Sequence, residues 1–405
     1  MSTVHVANGD TVKQLNRSLI LNEIRRNGPV PKIELAKKFD LTFTAVGNII
    51  TELSDMGFIK EAGYGESKGG RRPILYHMKW DSVYVIALVI GVNKISASLV
   101  NAKGGVSDDV TADEESIPLI NKIYILIDRL LEETSVETDK ISGIGVSAPG
   151  PIDPLDGKML APPNLDGVNN ISMQHLLRER YNLPTVIEKD ANAFALAEQW
   201  FGHVEANKSI LYIFNDEGLG GGLIIHSRIH RGLGNGAGEI GHMAIDMDGP
   251  KCNCGNFGCL EALSSGIAIQ RRVKEEIRRG FPSSLADDYL NDGKEFTIDM
   301  VVHHAKKGDA LSQQVLNEAG RYLGLGIANA INLFTPDQIV FGGSVTRLYP
   351  EMIPVAEDVA KRRAFSPYAR QITFSEAASN NQSDSIGAAA VMLQKLFDDS
   401  ELLIV

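Results

Sequence analysis

The sequence predicts two joined units: a small module of three helices and a hairpin in residues 1–80, and a two-lobed α/β body behind it. Three observations predict this. Helical apolar spacing, broken by glycine and proline, runs from Lys13 to Gly57. Strand–glycine-turn–strand units recur in two halves beyond Tyr84. One histidine, His242, precedes all three cysteines of the chain, which fall within eight residues.

The first expected helix spans Lys13 to Asn27, with Leu15, Leu19, Ile20 and Ile24 on its apolar face, and Gly28 ends it. Pro31 suits the first turn of a second helix that turns Ile33, Leu35, Ala36 and Phe39 inward. Thr42 can cap a third helix that buries Val46, Ile49, Ile50 and Leu53, and Gly57 can stop it. Phe58–Lys60 and Ile74–Tyr76 read as strands around a glycine-rich loop ending in Arg71, Arg72 and Pro73. Three short helices and a hairpin make a winged helix-turn-helix, whose third helix enters the major groove. Its outward residues are expected to be Thr42, Thr44, Ala45, Asn48 and Thr51, short side chains able to approach phosphates and base edges. Arg71 and Arg72 can lie along a narrow minor groove. The plainer alternatives are a helical protein-interaction module and a solvated basic turn.

Composition agrees with DNA contact by one end only. Residues 1–80 hold 12 Lys and Arg against 8 Asp and Glu, while the remainder holds 28 against 43. A net charge of −11 excludes a protein that coats nucleic acid throughout. With 405 residues and 43% apolar content, the chain can bury a substantial core. It starts with no basic-then-apolar leader and has no apolar run of about 18 residues, so a cytoplasmic location is expected. Three clustered cysteines in such a protein read as metal ligands rather than disulfides.

In the body, Val83–Ile90 and Lys94–Val100 read as strands meeting at Gly91-Val92-Asn93. A helix at Ile120–Glu133 and a strand at Ile141–Val146 follow. Thr185–Glu188 is a strand leading to Asp190 and a helix through Trp200. The second half opens with a strand at Ile210–Phe214, a turn at Gly218–Gly222 and a strand at Leu223–His226. Gln338–Ser344 is a late strand entering a glycine turn. Residues 81–198 are expected to form the first lobe and 199–384 the second, with the C-terminal segment 385–405 returning to the first.

The body resembles the ROK family of repressors and sugar kinases, whose repressor members also carry an N-terminal winged helix. The most specific motif is Glu239-Ile-Gly-His242, then Cys252-Asn-Cys254-Gly-Asn-Phe-Gly-Cys259-Leu-Glu261. The resemblance implies a two-lobed, actin-like ATPase fold of the sugar-kinase type. His242, Cys252, Cys254 and Cys259 supply four ligands suited to a closed, structural zinc site. The plainer alternative is three buried reduced thiols. The resemblance also implies that Asn164, Asp190, Glu239, His242 and Glu261 hold sugar hydroxyls, Asp190 matching the kinases' catalytic base. Carboxylates suit that work because hydroxyls donate to them in strong hydrogen bonds. Lys189 departs from the family's usual asparagine; it can accept an anionic substituent of the ligand or be a surface lysine.

Both phosphate loops depart from the kinases. Their Asp-x-Gly-Gly-Thr-Lys is here Val89-Ile-Gly-Val-Asn-Lys94. Their Gly-Thr-Gly-Ile-Gly-Gly-Gly is here Asp216-Glu-Gly-Leu-Gly-Gly-Gly222. The expectation is a sugar-controlled DNA-binding regulator, a repressor without kinase activity, acting on operator DNA with a sugar or sugar phosphate as effector. The family implies a homodimer or homotetramer. The rivals are an active ATP-dependent sugar kinase with an added DNA-binding arm, and a scaffold that binds another protein.

Overall fold

A computed structural model of the chain describes residues 9–66, 72–91, 94–112, 117–162, 165, 167–202, 204, 208–286, 297–365, 367–378 and 385–399. Helix α1 (Gly9–Asn27) starts four residues before the expected Lys13. It buries Ile20, Leu21 and Ile24, while Leu15 and Leu19 are 59% and 39% exposed. The helical phase set by Ile20 and Ile24 carries those two leucines off the packed face, against expectation. Val30–Pro31 form a two-residue strand, β1. Pro31 is the N-cap of α2 (Lys32–Phe39), one position before the expected first turn. Leu35 and Ala36 are buried, but Ile33, expected inward, is 57% exposed. Two turns of helix cover the core along one narrow stripe, and Ile33 falls outside it.

Helix α3 (Phe43–Asp55) follows the expectation closely. Thr42 accepts a hydrogen bond from the Ala45 N–H, satisfying one of the unpaired amides at the helix start. Val46, Ile49, Ile50 and Leu53 are all buried. Strands β2 (Ile59–Tyr64) and β3 (Ile74–Met78) form the wing, and β1 adds to the far side of β3.

The body holds two five-stranded sheets of matching topology. The first contains β4 (Tyr84–Ile90), β5 (Ile95–Asn101), β6 (Val106–Ala112), β7 (Ile141–Ala148) and, after a small hairpin β8 (Ile152–Asp153) and β9 (Lys158–Met159), β10 (Thr185–Lys189). Its order is β10-β7-β4-β5-β6. Helices α4 (Leu119–Glu133) and α5 (Met173–Tyr181) join its strands. Helix α6 (Asp190–Phe201) then leads into β11 (Ile210–Asn215), β12 (Leu219–Ile225) and β13 (Arg228–Ile229). Helices α7 (Leu260–Ser264), α8 (Gly266–Arg278), α9 (Ile298–Lys306) and α10 (Ala310–Phe334) follow, then β14 (Gln338–Gly342). Helices α11 (Ser344–Leu348) and α12 (Met352–Arg363), strand β15 (Thr373–Glu376) and helix α13 (Ser385–Asp398) complete the body. The second sheet runs β13-β12-β11-β14-β15. In each, a central strand has antiparallel neighbours on one side and parallel ones on the other.

One expectation fails instructively. Gly218–Gly222 was expected to be a turn, yet Leu219–Ile225 is a strand and only residues 216–218 turn. The glycines serve packing instead. A Cβ on Gly222 would sit 2.2 Å from the Ala191 carbonyl oxygen, so α6 lies directly against β12.

Helix α13 packs on the first sheet and on α6, with Ala388, Ala389, Met392 and Leu393 fully buried. The N-terminal module is no loosely tethered bead. Ile20, Leu21, Ile24 and Met78 share one continuous apolar cluster with Val83, Val85, Val100, Met392 and Phe397. Among the described residues, no helix is long and apolar enough to cross a membrane.

The contact between α6 and β12 is directly testable. Gly222→Ala is expected to destabilise the chain by about 1–3 kcal/mol through overpacking. Gly47→Ala, with open space around its Cβ, is expected not to. Urea denaturation of the two variants checks this.

Candidate functional site

Two surfaces carry chemistry. The first is the outer face of α3. Thr42, Thr44, Asn48 and Thr51 are exposed there, and Ala45 is half-buried. Thr42 caps the helix and Thr51 bonds back to the Gly47 carbonyl. Phe43 was not anticipated: it is 59% exposed at the first position of α3. Its spacing from Val46 and Ile50 mimics a core position, but the first turn projects beyond the core. Arg72 is exposed beside the wing, and Arg71 lies outside the described residues.

The second surface is a cavity of about 530 Å³ between the lobes. The first lobe contributes Val89–Gly91, Lys94, Ser147 and the Pro149–Pro151 turn. The second contributes the Asp216–Gly220 turn, Glu239, His242 and Glu261. Asp190 and Lys189 line it too, where β10 of the first sheet meets α6. Four of the five expected sugar ligands therefore line one cavity; the fifth, Asn164, lies outside the described residues.

Asp190 opens α6, and its Oδ1 accepts from the Ala191 N–H. Burial of its carboxyl, reinforced by the Glu239 and Asp216 charges, pushes its pKa up to about 6 despite Lys189. The folded carboxyl holds its proton more tightly than an unfolded one. Its contribution to stability is therefore full at low pH and is lost as pH rises through about 6.

Lys189 is no surface lysine: its side chain is 7% exposed. Its ammonium donates to Glu239 Oε1 at 2.8 Å and to the Ala237 carbonyl at 3.1 Å. The neighbouring Glu188 is wholly buried. It accepts from Arg231, Asn192, Asn235 and the Lys189 amide, so its charge is fully compensated. These contacts tie the 231–239 segment to the end of β10. Sequence reading missed this network because its members are scattered along the chain.

Glu261 belongs to both the cavity and the cysteine knuckle. Its Oε2 accepts from the Leu219 N–H at 3.1 Å, and Oε1 lies 3.5 Å from Cys252 Sγ. Gly258 adopts φ +63°, where a Cβ would strike the Asp246 carbonyl. That fold gathers His242, Cys252, Cys254 and Cys259, whose ligand atoms lie within 4.8 Å of one another. Cys254 and Cys259 sulfurs are 3.7 Å apart, and Cys252 Sγ is 3.9 Å from His242 Nδ1. Tetrahedral coordination with metal–sulfur bonds of about 2.3 Å requires sulfur separations of about 3.8 Å. The four residues thus fit a tetrahedral ion. With Nδ1 turned to the sulfurs, His242 keeps Nε2 for another partner.

Comparisons with known proteins place this geometry. Residues 85–395 match the ROK family model. The chain belongs to the ROK family. Residues 15–60 match the model described as winged helix-turn-helix DNA-binding. The xylose repressor of Caldicellulosiruptor bescii is 31% identical over 366 residues, covering 89% of this chain and 90% of that one. The DNA-binding transcriptional dual regulator NagC of Escherichia coli is 30% identical over 401 residues, 97% of this chain and 96% of its own. Among solved structures, a ROK family transcriptional regulator described as a homolog of the E. coli MLC protein superposes with a TM-score of 0.85 at 28% identity, covering 97% of this chain and 98% of that one. A ROK family glucokinase from Streptomyces griseus, in complex with glucose and AMPPNP, covers 76% of this chain and 98% of its own at 27% identity and a TM-score of 0.66. This ROK chain therefore has both repressors and kinases as relatives.

The cysteine cluster yields a measurement. Elemental analysis of the purified protein is expected to find one metal ion per chain. Cys259→Ser is expected to abolish it and to lower the melting temperature, because binding free energy at such a site is folding free energy.

Proposed function

We propose that this protein is a sugar-controlled, DNA-binding transcriptional repressor without kinase activity. The observation that carries this reading is one chain joining a winged helix-turn-helix to a cleft in which Asp190, Glu239, His242 and Glu261 meet. Helix α3 would enter the major groove of operator DNA through Thr42, Phe43, Thr44, Ala45, Asn48 and Thr51, with Arg71 and Arg72 on the wing reaching the minor groove. A dimer or tetramer would match a palindromic operator.

In the cleft, sugar hydroxyls donate to the carboxylates of Asp190, Glu239 and Glu261, and His242 Nε2 completes the set. A structural zinc ion held by His242, Cys252, Cys254 and Cys259 would fix the imidazole's tautomer and orientation. Bound zinc supplies folding energy and ligand alignment; the closed ligand set leaves it no catalytic position. Asn164 is proposed as a further sugar contact. The regulated state follows from differential affinity: a sugar that binds one lobe arrangement more tightly shifts the chain toward it, and with it the placement of α3.

The absence of kinase activity is supported by the nucleotide side of the cleft. Asp216 and Glu217 stand in the glycine turn where triphosphate would lie, and Asp216 accepts from the Ser344 hydroxyl at the start of α11. Each such carboxylate repels a phosphate charge a few ångström away by about 1–4 kcal/mol, depending on the local dielectric. Val89 stands where the kinases carry an acid. A valine there cannot organise magnesium as a carboxylate would.

A thermal-shift panel of D-glucose, D-xylose, N-acetylglucosamine and their phosphates is expected to yield a stabilising ligand, which then weakens binding to operator DNA. A panel with no stabilising member overturns the reading. Because the hydroxyls bind the ionised carboxylate, affinity for that ligand is expected to rise with pH through about 6. The slope approaches tenfold per pH unit below that point, and Asp190→Asn is expected to flatten it. Coupled-enzyme assay with ATP and each panel sugar is expected to detect no ADP; sustained turnover would establish the rival kinase reading.

A further inference from the structure

Helix α6 has one end in the cleft and the other against the DNA-binding module. Asp190 is its first residue, facing the cavity. Trp200 lies ten residues on, about 15 Å along the axis. Between them, Ala191 packs on Gly220 and Gly222 of the second sheet, and Phe194 stacks on Phe214 at 4.9 Å. On another side Ala193 meets Gly387 of α13. The helix is thus gripped along its length by elements of both lobes.

At its far end, Trp200 meets the module directly. The Arg25 guanidinium of α1 lies 3.8 Å from the Trp200 ring centroid. The ring of Phe397 at the end of α13 meets the same indole edge-on, at 5.3 Å and 86°. The Phe397 carbonyl in turn accepts from Ser18 and Asn22 of α1. Arg25 is 9% exposed, and its Nε makes no hydrogen bond among the described residues. Burial and the Arg26 charge lower its pKa to about 9, which leaves it charged at neutral pH. Asp398 lends Arg25 a counter-charge but forms no ion pair with it among the described residues, so the indole face takes the place of water around the buried guanidinium.

We propose that α6 is the rod that couples the cleft to the DNA-binding module, and that the Arg25–Trp200 stack is the joint through which movement of α6 reaches α1. This rests on the reading of the protein as a sugar-controlled DNA-binding regulator. The chemistry suits a joint. Cation–ring attraction acts within about 6 Å of the centroid, so a small shift or tilt of Trp200 removes the contact that replaces water at Arg25 and leaves it only the Asp398 charge. The module then leaves its docked position rather than adjusting by degrees, because packed interfaces are bistable. Arg25 is a positioning residue: it touches neither ligand nor operator, and acts through α1 on the placement of α3.

The test uses the full-length chain, a DNA duplex enriched by the wild type from a random-sequence pool, and the panel sugar with the largest thermal shift. The quantity read is the ratio of DNA dissociation constants with and without sugar. The wild type is expected to show a ratio of roughly 5 to 150, and Arg25→Met, which keeps the apolar stem, a ratio near one. Arg25→Met is also expected to keep the wild-type circular dichroism and to bind sugar with wild-type affinity in the absence of DNA. Arg25→Lys, with charge but no planar stack, should fall between. In a Trp80→Phe background Trp200 is the sole tryptophan, and sugar should shift its emission with Arg25 present but not in Arg25→Met. An Arg25→Met protein that keeps the wild-type ratio overturns the joint while leaving the regulator reading intact. Loss of sugar affinity together with the ratio would mark Arg25 as merely structural and also overturns it. A wild type whose DNA affinity ignores every panel sugar defeats the regulator reading, and the joint falls with it.

Discussion

Helix α6 can lie against the second sheet only because Gly222 puts no side chain in its path. That close approach governs the cleft. It sets the first turn of α6 at the cavity wall, encloses the Asp190 carboxyl and pushes its pKa toward neutrality. It also sets the direction of the helix, and so where Trp200 emerges. A run of small residues, Ala191, Ala193, Ala195 and Ala197, lets sheet and α13 close on the helix from opposite sides. Interiors packed this tightly transmit displacement instead of absorbing it.

Around that helix the cleft is organised by compensated charge. Glu188 is buried with every contact a donor, and Lys189 beside it bridges to Glu239. Each pairing joins the end of β10 to the 231–239 segment, so the two walls of the cleft are linked at their base. The carboxylates left facing the cavity outnumber its two lysines, Lys94 and Lys189. Such a lining favours a partner rich in hydroxyl donors over one bearing several phosphates. The knuckle meets the same wall through Glu261, which touches the glycine strand with one oxygen and approaches Cys252 with the other.

The duplicated sheet topology explains why a kinase-like scaffold can serve sensing. Two halves of equal pattern enclose a cavity whose shape depends on their relative angle, whichever ligand fills it. Fold alone does not decide activity; the groups grafted on the loops do. Here Val89, near the end of β4, faces the cleft, and the turn after β11 carries two carboxylates, Asp216 and Glu217.

Much was legible in the residues themselves. Local signals are strong where a short-range rule acts: the Thr42 cap, the buried stripe of α3, the alternating strands and the closely spaced cysteines all depend on neighbours within a few positions. The grouping of Asp190, Glu239, His242 and Glu261 could be anticipated from motif resemblance, not from spacing. Other features were hidden because they depend on separation in space. Leu15, Leu19 and Ile33 look apolar enough for the core, but which face is buried depends on what packs against it. Gly220–Gly222 reads as a turn until α6 is placed beside it. Lys189 reads as a surface lysine until Glu239 and the Ala237 carbonyl arrive from 48 to 50 residues away. Arg25 meets Trp200 only because tertiary folding brings together residues far apart along the chain. The sequence by itself determined the local elements and the histidine–cysteine cluster that could hold a metal ion, because those interactions close short loops of chain. Only the tertiary structure decided burial, charge pairing and the route from cleft to module, because each needs contacts whose partners are distant along the chain.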